Sequence, residues 1–183
     1  MAQAPTLHEF ALTLHHIDRG IEQELKIRTA RHPSETAERL WLRLLAFAWQ
    51  WEERLTFGPG LGDPDAPDLE ARDLTGQLTL WLRVGKADPP LIQRAADRNR
   101  GARVAVLFES PERLASFLAT ATEDGIGRLA NVALAAVDPA FLAALGEHDE
   151  RRARVTLTLV GDHFYADLDG ESFDGALTLG HAK

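Results

Sequence analysis

The stretch GQLTLWLRVG, Gly76–Gly85, decides how this chain folds. Side chains on a strand alternate with a period of two, so Leu78, Leu80, Leu82 and Val84 share one face and Gln77, Thr79, Trp81 and Arg83 the other. The first face reads as the wall of a core. The second reads as polar, and it carries a guanidinium that stays charged at any ordinary pH. Arg83 therefore needs a partner or an exit to water.

Downstream of that strand, Asp88-Pro89, Ser110-Pro111 and Asp138-Pro139 each set a capping residue before a proline, a helix-start signature. Between these starts lie ARVAVLFE (102–109) and RLANVALAAV (128–137), apolar runs suited to buried strands. Strand and helix alternate from 76 to 146, which predicts an α/β core with parallel pairs. The tail, RVTLTLVGDHFYADLDGESFDGALTLG (154–180), predicts two or three antiparallel strands joined at Gly-Asp and Asp-Gly turns.

Upstream, 6–16 and 21–31 read as a hairpin about IDRG. RHPSETAERLWLRLLAFAWQWEE then opens a helix, with Ser34 as the expected N-cap and Leu40, Leu44, Phe47 and Trp51 at helical spacing. RLTF (54–57) suits a short strand, and GPGLGDPDAPDLEARD (58–73) reads as a loop. The expectation is a single domain over 1–183 of mixed α+β (α/β) class. It has a central mixed sheet flanked by helices, an N-terminal β-hairpin and antiparallel C-terminal strands.

Of the 183 residues, 45% are apolar, which suits a globular domain and not a disordered chain. The absence of cysteine excludes disulfides, thiolate nucleophiles, zinc–thiolate sites and iron–sulfur clusters. MAQAPTLHEF does not read as a secretory signal and no apolar run is long enough to span a bilayer, so the expected compartment is the cytoplasm, with no membrane partner. A net charge of −8 disfavours nonspecific polyanion binding and leaves nucleic acid or a protein as partners to be tested. The charge is uneven: Arg83 to Arg113 holds seven Lys or Arg against four Asp or Glu, and Gly161 to Lys183 holds five acidic residues and one basic. A local basic surface at Arg94, Arg98, Arg100 and Arg103 competes there with an ordinary solvated helix end.

Several motifs fail on chemistry. FGPGLGD is not followed by Lys-Ser or Lys-Thr, so it is no phosphate-binding P-loop. No Gly-x-Ser-x-Gly elbow exists. His15 and His16 point to opposite strand faces and cannot chelate one ion together. DLDGESFD lacks the glycine position and the closing acid of a calcium loop and reads as a hairpin turn.

What remains is a pair of carboxylates, Glu35 and Glu38, on one side of the long helix's opening. The ordinary explanation is dipole complementarity, with Glu35 pairing to Arg39 at i+4.

RHPSETAERLWLRLLA, Arg31 to Ala46, resembles the signature of the YaeQ family, and RLTFGPGL and LTLWLRVG fall where that family has its next two motifs. The first hairpin and the helix from Asp88 are also similar; the acidic tail matches loosely. The resemblance implies a restriction-endonuclease-like fold of the PD-(D/E)XK superfamily, whose nucleases hold Mg²⁺ with carboxylates and use a lysine to orient the attacking water. It places the family's strand Asp at Thr79, its strand Glu at Arg83 and its lysine at Gln93 or Arg94; the helix carboxylate is kept as Glu35 or Glu38. A guanidinium repels Mg²⁺, and threonine is at best a weak neutral ligand. The leading expectation is thus a catalytically degenerate module. Its remnant pocket comprises Glu35, Glu38, Thr79, Arg83, Gln93 and Arg94, with Arg83 paired to a helix glutamate where the metal would be. Arg83, Arg94 and Arg98 are candidates for binding an anion, with no cofactor expected. The alternatives are a Mg²⁺-dependent phosphodiesterase with Asp73 or Asp88 and Lys86 as migrated groups, and a protein-interaction domain using Trp41, Trp49 and Trp51. Core packing is the competing account of those tryptophans.

Overall fold

The structure is a computed structural model that describes residues 4–59, 63, 65–127 and 129–181. In FGPGLGD, residues 60–62 lie outside the described residues. The expected hairpin forms as β1 (Thr6–His16) and β2 (Ile21–Arg31), closed by one 3₁₀ turn over Ile17–Arg19. Gly20 follows that turn at φ +63, a left-handed conformation that favours glycine.

Helix α1 (Ala37–Trp49) comes next, then β3 (Thr56–Phe57), β4 (Leu69–Arg72) and β5 (Leu78–Val84). Two local readings change. Thr36, not Ser34, is the N-cap: its hydroxyl accepts from Arg39 N at 3.1 Å, while Ser34 is tied to the His32 ring. The 58–73 segment is not all loop either. Leu69–Arg72 pairs antiparallel with both β3 and β5, supplying hydrogen bonds that its turn-rich composition conceals.

The three Asp/Ser-Pro starts open α2 (Pro89–Arg98), α3 (Pro111–Glu123) and α4 (Pro139–Gly146). Ser110 and Asp138 accept a side-chain cap bond, whereas Asp88 occupies its N-cap without one. β6 (Arg103–Phe108) and β7 (Val132–Val137) lie parallel to β5 and to each other, as the alternation predicts. The tail forms an antiparallel run of β8 (Arg152–Val160), β9 (His163–Leu168) and β10 (Glu171–Gly180).

All strands join one ten-stranded sheet in the order β2-β1-β8-β9-β10-β7-β6-β5-β4-β3. It is mixed and mostly antiparallel; parallel pairs occur at β1/β8, β5/β6 and β6/β7. Helices α1 and α4 contribute to the core on one face, where Leu80, Leu82, Val84, Ala105, Leu107, Ala135 and Val137 meet the inward residues of β1, β8 and β9. On the other face, α2 and α3 cover Trp81, Val106, Phe108, Leu134 and Ala136.

This corrects the reading of the opening strand. The face that carries Trp81 is not a polar surface but part of a second core, in which Trp81 is only 4% exposed, while Thr79 and Arg83 are half-buried and outside that cluster. Leu78 joins that second core too, next to the register shift between Ala71 and Arg72. No described helix is long and apolar enough to cross a membrane.

Candidate functional site

The most charge-dense interior site is built where β2 hands over to α1. The chain turns at His32, with Glu35 N donating to His32 O at 2.8 Å, and this drops Glu35 beneath the first turn of the helix. Its carboxylate is 2% exposed. Eight residues later, on the helix's buried face, Arg43 is 0% exposed. The two meet as a fork: Arg43 Nε donates to Glu35 Oε1 at 2.8 Å and Nη2 to Oε2 at 2.9 Å. Two further donors of Arg43 go to Thr29 Oγ1 at 3.1 Å and Ala30 O at 2.9 Å on β2. Its guanidinium carbon also stands 5.6 Å from the centre of the Phe57 ring. Burial pulls the Arg43 pKa down, while Glu35 beside it pushes the other way, and the guanidinium remains charged.

A second guanidinium bridges this pair to the sheet. Arg39 Nη1 donates to Glu35 Oε1 at 2.9 Å, and its Nη2 donates to Asp68 Oδ1 at 2.5 Å. Asp68, 3% exposed, stands just before β4 and accepts from Val84 N at 2.9 Å through Oδ2. His32 N donates to Glu35 Oε2 at 3.3 Å, so every oxygen of the two carboxylates holds at least one donor. Two buried carboxylates against two guanidinia form a closed, neutral plug. Such a plug adds little net stability over an apolar one, but losing one member leaves a bare charge in the interior.

The structure disperses the other residues that the sequence nominates. The Glu35–Arg39 pairing forms as its spacing predicts. Glu38 packs against α4, its Cγ lying 2.5 Å from where a Cβ on Gly146 would stand. Thr79 Oγ1 donates to Glu52 Oε1 at 2.7 Å, and Glu52 also pairs with Arg103. Because Glu35 precedes α1 and Glu52 follows it, these two groups are separated by a helix roughly 20 Å long. Arg83 is half-buried and its Nη1 donates to Ala66 O at 3.1 Å. The guanidinia seated on Glu35 are those of Arg39 and Arg43. Gln93, Arg94 and Arg98 belong to α2, which packs on the opposite face of the sheet, with Arg94 and Arg98 exposed.

The groups nominated as migrated ligands are also apart. Asp73 Oδ1 accepts from Thr75 N at 2.8 Å, Thr75 Oγ1 at 2.6 Å and Gln77 N at 3.0 Å, shaping the turn into β5. The Thr75 hydroxyl foremost holds that carboxyl below the usual range. Asp88 is the α2 N-cap, and it lines with Lys86, Arg113 and Ser116 a cavity of about 460 Å³ away from Asp73 and from the Glu35 plug. Among the described residues, no group of three or more His, Asp or Glu is placed to hold a metal ion. Trp41 and Trp49 are buried and Trp51 half-buried in the core; Trp41 Nε1 donates to His148 O at 2.8 Å.

Arg43 and Asp68 are the site residues that sequence reasoning misses. Arg43 has a visible signal, a charge within the apolar run LWLRLLAFAW. Asp68 is hidden in acidic, proline-rich sequence.

A family model described as YaeQ protein matches residues 1–176. The "Uncharacterized protein YaeQ" of Salmonella typhi is 30% identical over 159 residues, covering 87% of this chain and 86% of that protein. Its Escherichia coli (strain K12) namesake is 29% identical over 178 residues, 97% of each. The crystal structure of YaeQ protein from Xanthomonas axonopodis pv. citri superposes with a TM-score of 0.88 at 30% identity, covering 98% of this chain and 100% of that one. That of YaeQ protein from Pseudomonas syringae also gives 0.88 at 30% identity, over 100% and 99%. This chain belongs to the YaeQ family.

Proposed function

We propose that this YaeQ-family chain is a binding or structural module on a restriction-endonuclease-like, PD-(D/E)XK-type core, with its cation site taken by arginine. The observation that carries the reading is Arg39, bridging the Glu35 and Asp68 carboxylates from one guanidinium. Paired carboxylates at a helix start and a strand start are the hard oxygen donors that a divalent cation selects. Here those oxygens are already filled by Arg39, Arg43, His32 N and Val84 N. A divalent ion entering the site would meet two fixed positive charges at short range. The residues present therefore do not fit Mg²⁺, and no hydrolytic step is assigned to it. Thr79 and Arg83, standing where the resemblance places acids, point the same way. The fixed cation differs from the one anticipated from the strand: it comes from α1 itself.

Calorimetric titration with Mn²⁺ tests this, with the Arg39→Gln variant run beside the natural protein and plasmid nicking followed in parallel. The expected result is no specific Mn²⁺ binding and no nicking by the natural protein, and weak binding gained when Arg39 is neutralised. Tight Mn²⁺ binding with nicking by the natural protein would replace this reading with that of an active phosphodiesterase.

A further inference from the structure

On the outer face of the β2-β1-β8 edge, opposite the ionic plug, the strand registers line up two rows of cations. Arg28, Glu9 and Arg152 form one row, and Lys26, Ala11 and Arg154 the next. In the first row the carboxylate is shared: Arg28 Nε lies 3.1 Å from Glu9 Oε1 and Arg152 Nε 3.2 Å from Oε2. The second row has no such centre. Lys26 and Arg154 flank a methyl group, roughly 10 Å apart across the two strand spacings, and among the described residues neither has a carboxylate in ion-pair range. These residues line a cavity of about 560 Å³, which Asp169 also lines, its N donating to Arg154 O at 3.3 Å.

Like charges facing each other across one small residue repel, and cross-strand neighbours are ordinarily chosen to do the opposite. A tetrahedral anion seated over Ala11 resolves the mismatch. It would bridge the Lys26 ammonium and the Arg154 guanidinium, with Arg28 and Arg152 framing it. The surrounding charges limit its length. Glu22 and Glu24 continue the same face of β2, and Asp167 and Asp174 occupy the corresponding face of β9 and β10. An extended polyanion running along the face would meet those acids; a compact one would not.

We infer that this notch is a binding site for a compact phosphate-type anion, a phosphomonoester or pyrophosphate, held over Ala11 by Lys26 and Arg154. The site is independent of the arginine plug, and its test does not involve metal. Pyrophosphate and a 12-nucleotide single-stranded DNA are titrated separately by calorimetry at low salt. Three proteins are compared: natural, Lys26→Ala/Arg154→Ala, and Ala11→Glu, which puts a carboxylate where the anion would sit.

Pyrophosphate should bind the natural protein. Binding should weaken at least about tenfold in the double variant, as expected for losing charge-assisted hydrogen bonds. It should be lost in Ala11→Glu, with thermal melting showing both variants folded. No pyrophosphate binding by the natural protein, binding unchanged in Ala11→Glu, or binding of the oligonucleotide alone would each overturn the inference.

Discussion

The two halves of the sheet solve the burial problem in different ways. Strands β5, β6 and β7 are covered on both faces, and their sequences are nearly continuous apolar runs. Strands β1, β8 and β9 bury one face only, and they alternate: Phe10, Leu12 and Leu14 inward against Glu9, Ala11 and Thr13 outward. The first half buries most of both its faces. The second leaves a polar face open to solvent, and its inner seam with α1 is closed partly by ions rather than by hydrocarbon.

The largest test of that contrast falls on the ionic seam. Arg43→Ala leaves Glu35 buried without its fork, and breaking a buried pair in this way costs about 3–5 kcal/mol. Urea unfolding should show the loss, and the added cost of Glu35→Ala on top of it should be far smaller than in the natural protein. Additive effects would mean that the two groups do not act as a unit.

A smaller effect separates the halves directly. Leu107→Ala, fully buried in β6, should cost about 2–5 kcal/mol through its cavity. Thr156→Ala, on the outer face of β8, should stay within about 0.5 kcal/mol. Equal costs would erase the distinction between a two-sided and a one-sided sheet.

The smallest expected effect is a pH dependence at the end of β1. Burial foremost, then the Arg19 charge, pulls the pKa of His16 below 6.5. The folded state therefore favours neutral His16, and its contribution to stability is complete above pH 6.5 and is lost as pH falls through the lower folded value. Between about pH 7 and 5, the stability of His16→Asn should fall less steeply than that of the natural protein. An unchanged slope would assign that pH dependence elsewhere.

The hairpin, the three Asp/Ser-Pro helix starts and the parallel β5-β6-β7 core were legible in the sequence because their causes are local. Period-two alternation, capping residues and proline at N1 act within a few residues of one another. Helix spacing singled out Glu35 with Glu38, and the family resemblance added the fold expectation and the remnant-pocket role. It did not reveal what Glu35 touches. Its i+4 partner Arg39 could be read from helix geometry, but the Arg39–Asp68 bridge spans 29 positions of sequence. The pairing of β1 with β8, which binds the tail to the N-terminal hairpin, spans about 143.

Sequence alone thus determined most of the elements, though not β4, and the inward faces of the alternating strands, since periodicity is written into each segment. Only the tertiary structure decided that Arg43 and Asp68 complete the plug, that the second face of β5 is core, and that Lys26 and Arg154 stand across Ala11 without a carboxylate between them. Those outcomes depend on strand order and register, which arise when distant segments compete to bury the same apolar faces.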